Sequence, residues 1–252
     1  MAQLDLGRKA PAPLVDTLAL GFWSAVLITF FNIISSIVMI PSWFLNPIIP
    51  WRGIEWYAST FDFFQIASML PGLFVLLPFV PMMAAIHYSS PSNYKAYTLL
   101  GVIFAGLSVA TLGFQYYSQL TVVRYNLING EQPALGLFVL GNPHSFFWPL
   151  ETLGYGFMSL STLFAAFAFC NGPLERWIRA LFISNGILGI GGMIAYPLEI
   201  TLVAVLSGLS LWTLIFPALT ILVAIRFRRK MIEALDPRDR DKETSIFLDQ
   251  GV

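Results

Sequence analysis

Apolar residues gather along this chain in six blocks, each close to the roughly 20 residues that a helix needs to cross a hydrocarbon layer. They run approximately from Leu18 to Ile40, Phe61 to Ile86, Tyr97 to Tyr117, Phe147 to Phe169, Trp177 to Tyr196 and Ser207 to Ile225. No water is available in hydrocarbon to satisfy an irregular backbone, so blocks of this length and composition predict helices. The expected fold is an all-α integral membrane protein, with six transmembrane helices in one bundle. Residues 1–17 form a polar lead and residues 226–252 a basic, then mixed-charge, tail. The boundary between the last two blocks rests on "YPLE", Tyr196 to Glu199, together with Ser207 and Gly208.

Composition agrees with a bilayer environment: 57% of the 252 residues are apolar and only 11% are charged. The placement of the charges then gives the direction of the chain. With six crossings, Arg8, Lys9, Lys95, Arg176, Arg179, Arg226, Arg228, Arg229, Lys230, Arg238, Arg240 and Lys242 fall on one side. Only Arg52 and Arg124 of the 14 basic residues fall on the other. Basic residues are retained in the cytoplasm, so both termini are expected there, with the protein in the cytoplasmic membrane. Five or seven crossings would break the separation. No small-residue cleavage site follows a short apolar run, so the first block is expected to remain as an anchor. No lipidation signal is present, leaving the spans themselves as the attachment.

Two loops are expected on the outer side. "PSWFLNPIIPWRGIEWYAST" carries Trp43, Trp51 and Trp56 among three prolines and suits a segment with its indoles at headgroup level. Residues 118–145 have turn signals at Asn129-Gly130 and at Gly141 to Pro143 around "ALGLFVL", which is too apolar to stand in water. That stretch either lies on the membrane surface or folds back over the bundle. The tail opens with "RFRRK", a stop-transfer cluster suited to anionic lipid, and is expected to stay helical as far as Pro237.

Polar residues inside the blocks are biased toward the outer side. Asn32, Ser35 and Ser36 lie in the outer half of the first helix, Asp62 and Gln65 begin the second, and Gln115, Gln119 and Arg124 follow one another at the end of the third. Glu151 and Thr152 begin the fourth, and Glu199 follows the fifth. Such groups cost several kcal/mol in hydrocarbon unless paired or hydrated, so they normally face a bundle interior or an aqueous cavity. Asp62, Gln65, Gln115, Gln119, Arg124, Glu151 and Glu199 are therefore the candidate ligand-binding set around a pocket open to the outside. Glu151 itself admits three readings at this stage: a structural ion pair with Arg124, a pocket residue, or a catalytic acid. Pro71, Pro78 and Pro81 are expected to bend the second helix. "NGILGIGG", Asn185 to Gly192, lies inside a span with no strand before it, so its glycines, with Ser161 and Ala165, suit close helix contact better than a phosphate.

Several chemistries lack their residues. One cysteine, Cys170, allows no internal disulfide, and no Cys/His spacing suits zinc. His87 and His144 fall at opposite boundaries and cannot share a haem iron. No lysine lies in a span to carry a retinal Schiff base, and no Gly-x-Ser-Gly motif is present for a rhomboid-like protease. No catalytic residue, cofactor, metal or nucleic-acid partner is expected, and the three acids Asp62, Glu151 and Glu199 form no specific acid/base signature.

At "QYYSQLTVVRYNL", "GNPHSFFWPLETLGYGFMSLSTLFAA" and "LERWIRALFISNGILG" the chain resembles a group of small, functionally uncharacterised multi-pass bacterial membrane proteins, over about Gln115 to Gly192. The resemblance implies a bacterial cytoplasmic membrane and assigns no active residue. The function expected is binding or transport of a small or amphipathic molecule from the outer side, with Arg124 neutralising an anionic group, Glu151 and Asp62 tuning charge, and Gln115 and Gln119 supplying hydrogen bonds. The alternatives are a non-catalytic subunit of a membrane complex, holding a protein partner or a second copy, and an enzyme acting on lipid.

Overall fold

The computed structural model describes residues 12–45 and 51–235. The lead up to residue 11, the loop residues 46–50 and the tail from residue 236 lie outside the described residues, as do the side chains of Trp43 and its neighbours. Helices make up most of the described chain: α1 (Ala12–Leu45), α2 (Ile54–Ser59), α3 (Phe64–Ala67), α4 (Met69–Tyr88), α5 (Lys95–Ser118), α6 (Arg124–Asn129), α7 (Phe147–Ala165), α8 (Pro173–Ala195), α9 (Thr201–Ser210) and α10 (Phe216–Leu235). π-helical turns continue α5 into α6 over Gln119–Val123 and α9 into α10 over Leu211–Ile215. Among the described residues there is no strand.

Five helical stretches are long and apolar enough to cross a membrane: Leu14–Pro41, Phe64–Tyr88, Ser92–Asn129, Pro173–Ala195 and Leu202–Leu235. Large apolar side chains point outward from them, including Leu77, Ile187 and Leu202, each more than 60% exposed. In water that surface would be untenable, whereas in lipid it is the expected exterior. The protein is therefore a helical membrane protein. α7 is of similar length, at 19 residues, but carries Glu151 and a run of Gly, Ser and Thr.

The helices close into a ring in sequence order: α1 packs on α4, α4 on α5, α5 on α7, α7 on α8, α8 on α9 and α10, and α10 returns to α1. Neighbours are antiparallel. Gly21 near the start of α1 lies under the Phe227 ring of α10, Thr29 shares a 2.7 Å hydrogen bond with Thr220, and Ser35 meets Trp212. The start of α1 and the end of α10 thus lie at one end of the ring, here termed the base, and the long loops at the other, the crown.

Small residues set the seams. Helices in lipid gain no hydrophobic force from meeting one another, so close backbone approach and interhelical hydrogen bonds must hold them. Ser108 Oγ donates to the Gly154 carbonyl at 2.9 Å and Ser161 Oγ to the Gly101 carbonyl at 2.7 Å, stitching α5 to α7. On the opposite side of α7, Asn185 Nδ2 donates to Thr162 Oγ1 at 2.9 Å, and a Cβ at Gly189 would collide with Ser159. Gly186 and Gly189 of the "NGILGIGG" stretch are buried against α7, and Gly192 against Ser207 and Ala204 of α9.

Two boundaries and one side chain differ from the pattern-based expectation. The second block breaks at Ser68 between α3 and α4, ahead of the prolines; Pro71 falls in the first turn of α4, where a missing N–H removes no bond. The last helix begins at Thr201, and Ser207 and Gly208 lie inside it. The turn falls at Tyr196–Ile200, on the "YPLE" part of the expected signal, where Glu199 takes a left-handed φ of 61°. At the base, Arg226 belongs to no lipid-facing cluster: it is 3% exposed, its Nε donates to Glu175 Oε1 at 3.0 Å, and its guanidinium lies 4.9 Å from the Phe169 ring centre. Arg228 and Arg229 do face outward.

If the α7–α8 seam is held by close approach, Gly189→Ala will lower the melting temperature in detergent, by an overpacking cost of about 1–3 kcal/mol. Gly191→Ala, which meets open space, will be neutral or slightly stabilising in the same assay.

Candidate functional site

A partly enclosed cavity of about 200 Å³ opens inside the crown half of the ring. Its wall is built from α1 (Ser35, Met39), the α3–α4 break (Gln65, Ser68, Met69), α5 (Tyr116), the returning loop (Leu140), α7 (Trp148, Glu151, Thr152, Tyr155) and α9 with its π turn (Ala204, Val205, Gly208, Leu209, Trp212).

Each irregularity in the helices serves this wall. The break at Ser68 frees a carbonyl, which accepts a hydrogen bond from Ser35 Oγ at 2.9 Å; Ser35 Oγ in turn accepts Trp212 Nε1–H at 3.2 Å. A π turn widens the helix by one residue and resets the facing of the residues beyond it. The turn at Leu211–Ile215 buries Trp212, whose ring stands edge-on to Tyr155 at 5.7 Å. Tyr155 and Tyr116 share a 2.7 Å hydroxyl–hydroxyl hydrogen bond across the floor.

The roof is the second long loop of the crown, which folds back over the bundle. Val139 is fully buried and Leu135 nearly so, forming a small core with Tyr57 and Val123, flanked by Trp51, Ile54 and Trp56 of the first loop. Tyr57 is buried deeply enough that its hydroxyl is held well above the ordinary tyrosine range by desolvation alone. Gln119, on the other π turn, holds this roof from beneath: its Nε2 donates to the Phe138 carbonyl at 2.6 Å and its Oε1 accepts the Leu140 N–H at 3.2 Å. Trp148 Nε1 donates to the Leu140 carbonyl at 2.6 Å, tying the roof to α7. Asn142 closes the turn, donating to the Gly136 carbonyl and accepting the His144 N–H.

Of the seven residues expected from sequence to share a site, Gln65 and Glu151 line the cavity. Gln119 is a fully buried support of its roof, and Gln115 is fully buried outside the lining, with neither amide atom hydrogen-bonded. Asp62 lies outside the lining, its Oδ1 accepting the Phe64 N–H at 3.1 Å. Glu199 is exposed on the α8–α9 turn. Arg124 stands apart from the cavity, its guanidinium 5.3 Å from the Phe63 ring centre and 5.6 Å from that of Tyr125. No Glu151–Arg124 ion pair forms; among the described residues the ion pair found is Arg226–Glu175. By spacing alone Arg124 stands just beyond Gln119 on the way out of the third helix, but the π turn swings it toward the α2–α3 side instead.

The aromatic wall escapes a reading of the sequence that weighs charges and amides alone. Its signal is nonetheless present: Trp148, Glu151, Thr152 and Tyr155 recur at three- and four-residue spacing and so share one face of α7. Among the described residues no three His, Cys, Asp or Glu meet as a metal site would require.

The two buried glutamines behave oppositely in a direct test. Gln119→Leu will speed amide exchange at Leu140 by about tenfold or more and lower the melting temperature, because two roof hydrogen bonds are lost. Gln115→Leu, which deletes an amide with no partner, will leave stability unchanged or raise it.

No family model matches the chain, and comparison with curated proteins and with solved structures gives no match, so the function rests on this geometry alone.

Proposed function

We propose that the chain crosses the cytoplasmic membrane six times, with both ends in the cytoplasm and the crown outside, and that the crown cavity binds or moves a small amphipathic molecule. α7 supplies the sixth crossing. Its 19 residues span about 28 Å as a helix, close to the hydrocarbon thickness, and its polar face is spent on α5, α8 and the cavity. Among the described residues, seven of the nine Lys and Arg fall on the base side and two, Arg52 and Arg124, on the crown side, which supports the orientation.

The observation that carries the ligand reading is Glu151. It lines the cavity, stays half-buried, and among the described residues no hydrogen bond or ion pair engages its carboxylate. A charge serving only to clasp helices is paired, as Glu175 is with Arg226; an acid left free on a concave aromatic wall is what a binding site needs. The wall also favours an amphipathic occupant. α9 packs on α8 and α1 on α10, and residues of both α1 and α9 line the cavity. Leu202, Val203 and Leu206 of α9 are exposed and suit contact with lipid.

Native mass spectrometry of gently extracted protein, wild type beside Glu151→Gln, tests the reading. Wild type is expected to retain a small non-protein mass that the variant loses while melting within a few degrees of wild type. A bare chain in both, with the variant melting far lower, would make Glu151 structural and favour the assembly-subunit alternative.

A further inference from the structure

The hydrogen-bonding capacity left over inside the cavity specifies what its occupant must offer. Several donors in the wall are already used: Trp148 Nε1 on the Leu140 carbonyl, Trp212 Nε1 on Ser35, Ser35 Oγ on the Ser68 carbonyl, and Thr152 Oγ1 on the Trp148 and Pro149 carbonyls. Of the Tyr116 and Tyr155 hydroxyl protons, one lies between the two oxygens. Gln65 Nε2 donates to the Thr60 carbonyl at 3.4 Å, which fixes its amide orientation and leaves Oε1 buried without a partner. Left over are one tyrosine hydroxyl proton, the Ser68 hydroxyl, the second Gln65 Nε2–H, Gln65 Oε1 and both oxygens of Glu151, and the Glu151 carboxylate is the one charged group among them. No Lys, Arg or His lines the cavity.

Resting on the binding reading above, we propose that the crown cavity recognises a protonated amine carried on an apolar body, with the ammonium on Glu151 and Gln65 Oε1 and the apolar part against Trp148, Tyr155 and Trp212. An anion would meet an unpaired carboxylate and no cation, and a neutral alcohol would leave the carboxylate charge unanswered. An ammonium supplies both charge and N–H donors to acceptors that have none, and the faces of indole and phenol rings add cation–π attraction. A cavity of about 200 Å³ holds such a headgroup and its first carbons, and a longer chain would extend beyond it.

The test uses the full chain in lipid nanodiscs and three probes with the same tail: octylamine, octanol and octanoate, with bound probe counted by native mass spectrometry at neutral pH. Wild type should bind octylammonium about tenfold or more tightly than octanol, as expected for one desolvated charge-assisted contact, and octanoate least of all. In Glu151→Gln, the amine preference should shrink to within about twofold of octanol. Equal binding of amine and alcohol in wild type, or preference for octanoate, overturns the amine assignment while leaving a binding cavity intact. An amine preference that survives in Glu151→Gln overturns it too. Failure of all three to bind wild type removes the binding reading itself and the assignment with it. The ranking in wild type decides the matter even where the variant proves unstable, and Gln65→Leu, which deletes the second acceptor, should then reproduce the loss in part.

Discussion

The approach of α5, α7 and α8 through serine and glycine is the constraint on which the rest of the structure depends. In lipid, apolar side chains are as comfortable on the outside of a bundle as inside it, so bulk hydrophobicity does not tell a helix which face to turn inward. α7 receives that instruction from Ser161 and Ser108 bonding across the α5 seam and from Thr162 accepting Asn185 of α8. With those bonds made on both flanks, the remaining face of α7, bearing Trp148, Glu151 and Tyr155, can only point into the ring. Glu151 reaches the interior as a consequence of seams made further down the same helix.

The two ends of the bundle then treat buried charge differently. At the base, Glu175 is engaged on both oxygens, by Arg226 Nε and by the Asn171 N–H, and its position in the first turn of α8 also suits the helix dipole. At the crown, Glu151 has room and no partner. Desolvation of an unpaired acid is costly enough that a purely structural bundle would gain by replacing it with an apolar residue. The cavity keeps the carboxylate from being fully excluded from solvent, and the same feature gives a ligand access. Architecture and proposed function meet in this asymmetry, with one end closed by an ion-paired clasp and the other left open around an unpaired acid.

Much of this is legible in the sequence, and the failures have physical causes. Helix positions follow from apolar block length, and the turn at Asn129-Gly130 and the Asn142 turn are visible because Gly and Asn accept those conformations. The glycines of α8 form the packing surface that their setting inside a span implies. Lost to sequence are the π turns, which arise from tertiary fit and have no residue signature; they move Arg124 off the site and bring Trp212 onto it. Arg226 is misplaced among lipid-facing basics because burial of one member of "RFRRK" depends on a partner 51 residues away.

Accessibility of the cavity wall in intact membranes is the measurement that bears most directly on an outward-opening site. With Cys170 replaced by Ser, a cysteine at Thr152 should react with a membrane-impermeant thiol reagent added from outside, at a rate slower than but comparable to one at exposed Glu131, while one at Asn185 should not react. A Thr152 cysteine that stays inert while the Glu131 control is modified would mean that the crown is closed over Glu151, contradicting access from the outer face.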